Sequence, residues 1–424
     1  MIKFTDSAGI VLGHAVSFFN DADGTFAYGR ATPHAIGKMW EPSSQKLNRV
    51  GGNWSPNKPL AHIAETIIRQ QLQPGQRLDK LQRVFLSSVH SSMTWDKMTS
   101  KVILPTPWTD SRTVSLLEWT REALMEGATT SFFGPKLREI EPDLFDSFFS
   151  FDDSSWKLTY KILAPWSNDM KAAKAIGQNA LTRYFEISTS QRPGACWLVE
   201  ALEIEMKAVG IQAPDIAAYR TMIYWVLLAK IRLKLKLIMA TPASQDPNSL
   251  ANSFVPTATP HFLALYHEVL RLITSSVSVR NVASPTYVGG KELQPGGRVI
   301  IPYRQLLLND EVFGADAGEF HPERFMTNDK LNVNPSYRPY GGGSTYCPGR
   351  FLAKAEVLTC VALALWRFDM QLIDKEDIGI DIHEKSFESR AKTQFPRLEI
   401  KKPCLGIMGP VDGDDVFVNI SCRA

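Results

Sequence analysis

The sequence predicts a single α+β domain that is mainly α-helical. Apolar residues recur at three- and four-residue spacing from about residue 60 to 240, with proline and glycine between the segments. Strand and hairpin signals are concentrated after Pro260. The 424 residues are 44% hydrophobic and 21% charged, as in an ordinary globular protein. We therefore expect one domain over 1–424, with a helical part over about 60–260 and a part with small sheets over about 261–424.

The helical part is predicted from apolar faces and from the residues that end them. A helix over 114–130 places Leu117, Thr120, Leu124 and Ala128 on one face and ends before Gly134. The same spacing predicts further helices over 141–150, 169–185 and 215–237.

The second part is predicted to mix helices with short strands. Its pattern indicates a helix over 261–273, a strand over 277–282, a hairpin that turns at Gly289-Gly290, a strand over 298–301, a helix over 351–366 and a last hairpin arm over 416–420.

The charge balance and the cysteines exclude several classes of protein. There are 47 Lys and Arg residues against 44 Asp and Glu, a net charge of +3, so a nucleic-acid-binding surface is not expected. The five cysteines are odd in number, widely spaced and without a Cys-x-x-Cys pair, which argues against a disulfide framework or a zinc ribbon. The first twenty residues form neither a signal peptide nor a spanning helix, so we expect a cytoplasmic chain without a transmembrane anchor.

The most informative stretch is the glycine-rich run from Tyr340 to Arg350, Tyr-Gly-Gly-Gly-Ser-Thr-Tyr-Cys-Pro-Gly-Arg. It places Cys347 directly before a predicted helix, where the first-turn amides and the helix dipole stabilise a thiolate. The adjacent glycines allow the backbone to approach a flat partner closely. An isolated cysteine is usually an inert buried thiol, but this context favours a thiolate that binds a metal.

This stretch resembles the haem-ligand signature of the cytochrome P450 family, aromatic-x-x-Gly-x-x-x-Cys-x-Gly. Tyr340, Gly343, Cys347 and Gly349 take the matching places, and Gly341 belongs to the same run. The resemblance implies a cytochrome P450 fold and a haem whose iron takes Cys347 as its axial ligand. It also implies that Tyr340, Gly341, Gly343 and Gly349 line that haem.

Two further motifs extend the resemblance. Glu268 and Arg271 in Tyr-His-Glu-Val-Leu-Arg resemble the family's Glu-x-x-Arg helix pair, and Arg324 in Pro-Glu-Arg-Phe would complete a Glu-Arg-Arg ion network. Residues three apart share a helix face, so a third residue from the coil can lock the loop beneath the haem. Arg280 falls where relatives place a strand arginine on a haem propionate, and a surface strand charge is an equal alternative.

The distal helix departs from the family. Monooxygenases usually carry there an acid or amide beside a hydroxyl residue that organises protons, whereas this chain offers Thr221 as the catalytic hydroxyl without an acidic neighbour. Only 38 residues separate Lys230 from Glu268. The basic stretch over 231–237 is predicted to be a solvated face, with a peripheral membrane contact as the alternative. Thr345 stands where most relatives have a basic residue for a propionate. We therefore expect a chain shortened at its N-terminus and in the distal helix region.

The resemblance implies a haem-thiolate monooxygenase that inserts one oxygen atom from O2 into a lipophilic small molecule, with electrons from NADPH through a separate flavoprotein reductase. It is strongest over 261–368 and nearest to the branch of prostacyclin synthase, the sterol 7-hydroxylases and similar fungal enzymes. That branch implies a sterol, lipid or secondary-metabolite substrate and association with the endoplasmic reticulum.

Two alternative functions stay open at this point. The first is a haem-thiolate isomerase or dehydratase of the prostacyclin synthase type, which the missing acid-alcohol pair favours. The second is a degenerate haem-binding relative without turnover, which the shortened distal region favours.

Overall fold

Helices form most of the N-terminal half of the computed structural model, which describes residues 32–41, 59–105, 110–155, 157, 165–228, 260–282, 284–343, 346–373, 396–401, 406–411 and 414–423. The elements of this half are α1 (Pro33–Trp40), α2 (Leu60–Leu72), α3 (Gln76–Ser92), β1 (Ile103–Leu104), β2 (Arg112–Ser115), α4 (Leu116–Phe133), α5 (Lys136–Ile140), α6 (Leu144–Ser154), α7 (Asn168–Glu186), α8 (Trp197–Ala208) and α9 (Ala213–Leu228).

The C-terminal half alternates helices with short strands. Its elements are α10 (Pro260–Ile273), β3 (Val277–Asn281), β4 (Thr286–Val288), β5 (Lys291–Leu293), β6 (Arg298–Pro302), α11 (Tyr303–Leu307), α12 (Asp310–Phe313), α13 (Arg324–Thr327), α14 (Arg350–Arg367), β7 (Phe368–Ile373) and β8 (Phe417–Cys422). The predicted fold class, mainly helical with small sheets, is confirmed.

Helices α3 and α4 pack against each other at the centre of the helical half. A Cβ atom added at Gly127 of α4 would lie 2.7 Å from a methyl carbon of Val89 on α3, so glycine is required for this close approach. Phe85 on the same face of α3 is also buried. One cluster of buried apolar side chains continues from Ala35 in the first described helix to Ile420 in the last strand. No described helix is both long and apolar enough to cross a membrane.

A four-stranded antiparallel sheet joins the two ends of the chain, in the order β1-β2-β8-β7. Strand β8 is central, because Val418 pairs with Val114 of β2 on one side and with Leu372 of β7 on the other. The helix predicted over 114–130 therefore begins two residues later, and Val114 and Ser115 belong to a strand. The last strand was predicted as a hairpin arm, whereas both of its partners are distant in sequence.

The smaller strands agree with their sequence signals. Strands β4 and β5 form the predicted hairpin, in which Gly289 and Gly290 have φ of 55° and 77°. Positive φ at both central residues is what a type I′ turn requires, and glycine adopts it without strain. Strands β3 and β6 form a separate antiparallel pair that follows α10. Helix α10 lies beside the segment that leads to Cys347, because its Tyr266 and His267 contact Tyr340 and Tyr337.

Candidate functional site

Cys347 lies directly before α14, in a loop that turns back on itself. Gly349 is the N-cap residue of α14, and its carbonyl accepts the amide proton of Ala353 at 2.9 Å. The amide of Cys347 donates to the carbonyl of Tyr340 at 3.1 Å, and the carbonyl of Cys347 accepts from the guanidinium of Arg350 at 3.0 Å. The backbone of Cys347 is thus fixed on both sides, while its side chain is only partly buried.

The glycines between Tyr340 and Cys347 make this reversal possible. Gly341 and Gly343 have φ of 79° and 68°, in the left-handed region that most side chains avoid. A Cβ atom at Gly343 would have no heavy atom within 4 Å, so its backbone borders open space, whereas one at Gly341 would meet the ring of Tyr303 at 3.7 Å. Ser344 and Thr345 lie outside the described residues. A flat group could therefore approach the loop at Gly343.

Glu268 and Arg271 form a fully buried ion pair on α10. Two parallel hydrogen bonds, each 2.7 Å long, join the guanidinium of Arg271 to the carboxylate of Glu268. The remaining donors of Arg271 bind the carbonyls of Leu307 at 3.0 Å, Ala317 at 2.5 Å and Glu319 at 3.1 Å. All five guanidinium protons are therefore used, which is what a charge with no solvent exposure requires.

Arg324 joins this pair from the coil. Its Nε lies 3.2 Å from a carboxylate oxygen of Glu268, and its Nη2 lies 3.3 Å from the carboxylate of Asp316. Glu268 also accepts the backbone amide of His321 at 2.9 Å. The structure thus brings Glu268, Arg271 and Arg324 together and connects α10 with the coil that leads to Cys347.

A layer of buried rings beside this network was not predicted from the sequence. The hydroxyls of Tyr266 on α10 and Tyr340 lie 2.5 Å apart, and Nδ1 of His267 lies 2.8 Å from the hydroxyl of Tyr337. Phe325 packs against both His267 and Tyr337, with ring centroids 5.4 Å and 5.3 Å away. No sequence pattern identified these rings, because their hydrogen bonds join residues 74 and 70 positions apart.

Burial changes the proton affinity of these rings. It lowers the pKa of His267 to about 4, with a smaller contribution from the charge of Lys354. It raises the pKa of both Tyr266 and Tyr340, so both phenols stay protonated at neutral pH. The layer is therefore neutral, next to a network that is charged.

The remaining predicted site residues lie apart from the loop in sequence. Arg280 is in β3, paired with Val299 of β6, and its side chain lies outside the described residues. Thr221 is buried in α9, and its hydroxyl donates to the carbonyl of Ala217 at 2.9 Å. Arg220 beside it donates to the carbonyl of Val199 on α8 at 2.9 Å. The basic stretch over 231–237 lies outside the described residues.

The chemistry of Cys347 is compatible with ligation of a haem iron. Within the described ranges, no three His, Cys, Asp or Glu side chains gather as ligands. A haem iron needs only an axial ligand from the protein, because the porphyrin supplies the four equatorial nitrogens. Cys347 offers a thiol at the N-terminus of an 18-residue helix, and a Cβ atom at Gly343 would meet no heavy atom within 4 Å. The thiol is a donor that a haem iron accepts.

Comparisons with known proteins agree with this interpretation. The family model for cytochrome P450 matches residues 260–394. The chain is 34% identical over 129 residues to cytochrome P450 monooxygenase poxD of Penicillium oxalicum, which covers 29% of this chain and 26% of that protein. It is 26% identical over 232 residues to the mitochondrial 1,25-dihydroxyvitamin D(3) 24-hydroxylase of Rattus norvegicus, which covers 50% of this chain and 43% of that protein. The matches thus span less than half the length of these two relatives.

A solved structure shares the fold over nearly the whole chain. The retinoic acid-bound cyanobacterial CYP120A1 superimposes with a TM-score of 0.61 and 17% identity, covering 96% of this chain and 87% of that one. A structural similarity at this sequence identity establishes the fold. The segment that matches the family model includes the Cys347 loop and α10. The branch predicted within the family stays a prediction. Residues 260–394 thus match the cytochrome P450 family model, and the chain shares its fold with the retinoic acid-bound CYP120A1 structure.

Proposed function

We propose that this protein is a haem-thiolate monooxygenase that inserts one oxygen atom from O2 into a lipophilic small molecule. The observation that carries the proposal is the position of Cys347, held by its amide and its carbonyl at the N-terminus of α14. A sterol, a lipid or a secondary metabolite is the substrate class, and the electrons come from NADPH through a separate reductase. Work on such substrates fits the cytoplasmic face of the endoplasmic reticulum.

Cys347 is the residue we propose as axial ligand of the haem iron. Its place before the first turn of α14 directs unpaired backbone amides and the positive end of the helix dipole towards a thiolate. Tyr340, Gly341, Gly343 and Gly349 would border the haem, and Arg280 would hold a propionate. When bound, the haem supplies the binding and activation of dioxygen, chemistry that no side chain provides.

Glu268, Arg271 and Arg324 keep the loop in place in this proposal. The charged groups are too strongly bonded to each other to take part in proton transfer at the substrate. Their part is to fix α10 against the coil, so that the thiol does not depend on solvent-exposed loop residues for its position.

The distal side favours a second candidate, a haem-thiolate isomerase or dehydratase. The hydroxyl of Thr221 is bonded to its own helix, and the side chain of Arg220 binds α8, so no described carboxylate or amide assists Thr221. An enzyme that rearranges a peroxide needs neither a reductase nor a distal proton relay. The monooxygenase stays the first proposal because it is the activity named for the relatives over the matched segment.

The two candidates are separated by the source of the product oxygen. The purified, haem-loaded chain is incubated with a panel of sterols and fatty acids, NADPH, a flavoprotein reductase and ¹⁸O₂, and in parallel with organic hydroperoxides alone. One ¹⁸O atom in a product that forms only with reductase supports the monooxygenase. A rearranged product from hydroperoxide without reductase supports the isomerase instead, and no product in either assay supports a degenerate relative.

A further inference from the structure

Helix α10 contacts the Cys347 loop through a pair of buried tyrosine hydroxyls. We propose that Tyr266 is a positioning residue for Cys347, acting through its hydrogen bond to Tyr340. The inference rests on the proposed function, because it concerns the thiolate that would ligate the haem. It adds a residue that belongs to neither the cysteine loop nor the ion network.

Tyr266 is set firmly in the protein. Only 1% of its surface is exposed, and it lies two residues before Glu268 on the helix that the ion network fixes. Its ring packs edge-on against His267, with centroids 5.4 Å apart. The hydroxyl of Tyr266 is therefore held in a fixed position at the end of a buried side chain.

Tyr340 transmits that position to Cys347. Its hydroxyl lies 2.5 Å from that of Tyr266, and its carbonyl accepts the amide of Cys347 at 3.1 Å. Two of the residues that follow Tyr340, Gly341 and Gly343, have left-handed backbone conformations, and a Cβ atom at Gly343 would have no heavy atom within 4 Å. The loop is therefore held at Tyr340 by the side chain of that residue. A movement of the Tyr340 ring would displace the amide of Cys347.

The pair is uncharged, because burial raises the pKa of both Tyr266 and Tyr340. The hydrogen bond between them therefore joins two neutral hydroxyls.

The test measures the ligation state of the iron directly. Reduced carbon monoxide difference spectra are recorded from pH 8 to pH 6 for the haem-loaded wild type, Tyr266→Phe, Tyr340→Phe and the double variant. The quantity is the pH at which half of the thiolate-type Soret band has been replaced by the thiol-type band. Tyr184→Phe is the matched control, since its buried hydroxyl also donates a hydrogen bond, to the carbonyl of Phe133 at 2.8 Å, far from the loop in sequence.

We expect each single variant to lower the ratio of thiolate to thiol form at fixed pH by about five-fold, the size of one neutral hydrogen bond. The midpoint pH therefore rises. The double variant should change it no further, because either substitution already removes the bond. Tyr184→Phe should leave the midpoint unchanged while it lowers thermal stability.

Two results would overturn the inference, and they differ in what else they overturn. Midpoints equal to wild type in all three loop variants would show that the pair only stabilises the fold, and the proposed function would stand. A wild type without any thiolate-type band would overturn the positioning role and the proposed function together.

Discussion

Arg271 uses all five of its guanidinium protons inside the protein. Three backbone carbonyls and one carboxylate accept them, and neither Arg271 nor Glu268 has solvent-exposed side-chain surface. When a buried ion pair loses some of these hydrogen bonds, one charge is left uncompensated. The loss of stability is then larger than for an exposed ion pair. The planar fork of arginine is what matches these acceptors, so lysine is not an equivalent replacement.

Arg271→Lys should lower the free energy of unfolding by about 3–5 kcal/mol, because an ammonium group cannot replace the five hydrogen bonds of the Arg271 guanidinium. Urea unfolding followed by circular dichroism measures the change. Arg121→Lys is the matched control, since Arg121 forms the same i,i+3 pair with Glu118 at 3.0 Å, but there the arginine is partly exposed and the carboxylate is exposed. There we expect a change of at most about 1 kcal/mol. Equal losses in the two variants would contradict the structural importance given to the buried network.

His267 should make stability depend on pH in the acid range. Burial lowers the pKa of His267 from 6.5 to about 4, so the folded chain favours the neutral ring. The stability that the neutral ring contributes to the folded state is fully present above pH 6.5 and is lost as the pH falls towards 4. The difference corresponds to about 3 kcal/mol.

The measurement compares wild type with His267→Gln, which keeps a polar group near Tyr337 but does not titrate. The free energy of unfolding is measured for both proteins at pH 7, 6, 5 and 4. It should fall more steeply with decreasing pH in the wild type than in the variant. Parallel curves would show that His267 is protonated as easily in the folded chain as in the unfolded one.

At the scale of elements, the N-terminus of helix α4 is capped by the residue before it and by a residue near the C-terminus of the chain. Ser115 Oγ accepts the amide of Glu118 at 3.0 Å and donates to the carboxylate of Asp415, which accepts the amide of Leu117 at 3.2 Å. Asp415 lies just before β8, so the same contacts tie the helix start to the last strand of the sheet. The cap therefore stabilises both the helix and the closure of the chain ends.

Ser115→Ala should destabilise the protein by about 1–2 kcal/mol, because two orphan amides at the start of α4 lose or loosen their acceptor. Ser167→Ala is the control. Ser167 also precedes a long helix, yet its buried hydroxyl makes no cap bond and has no partner among the described residues. We expect no loss there in a thermal unfolding measurement. A loss at Ser167 as large as that at Ser115 would contradict the cap.

The sequence predicted well the helices and strands that are determined by the pattern of their own residues. Helix α14, predicted over 351–366 and observed as Arg350–Arg367, follows from a continuous apolar spacing. Strand β2 was missed because its four residues have no pattern of their own and become a strand by pairing with β8. The pairing of Val114 with Val418 joins residues from opposite ends of the chain, which no local signal records.

At the scale of the whole molecule, the same distinction holds for the candidate site. Cys347, Glu268, Arg271 and Arg324 were predicted because their spacing within short motifs carries the resemblance. The contact between Tyr266 and Tyr340 joins residues 74 positions apart through two hydroxyls, and nothing in the sequence distinguishes it from ordinary packing. Arg280 stays a prediction, because its side chain lies outside the described residues.

The central claim, that Cys347 ligates a haem iron, is tested most directly by the reduced carbon monoxide difference spectrum of the haem-loaded chain. We predict a thiolate-type Soret band in the wild type and its loss in Cys347→Ala. Cys360→Ala should keep the band, because Cys360 is buried inside α14 with its sulfur 3.6 Å from that of Met93. A band that survives in Cys347→Ala, or a folded wild type that takes up no haem, would contradict the account.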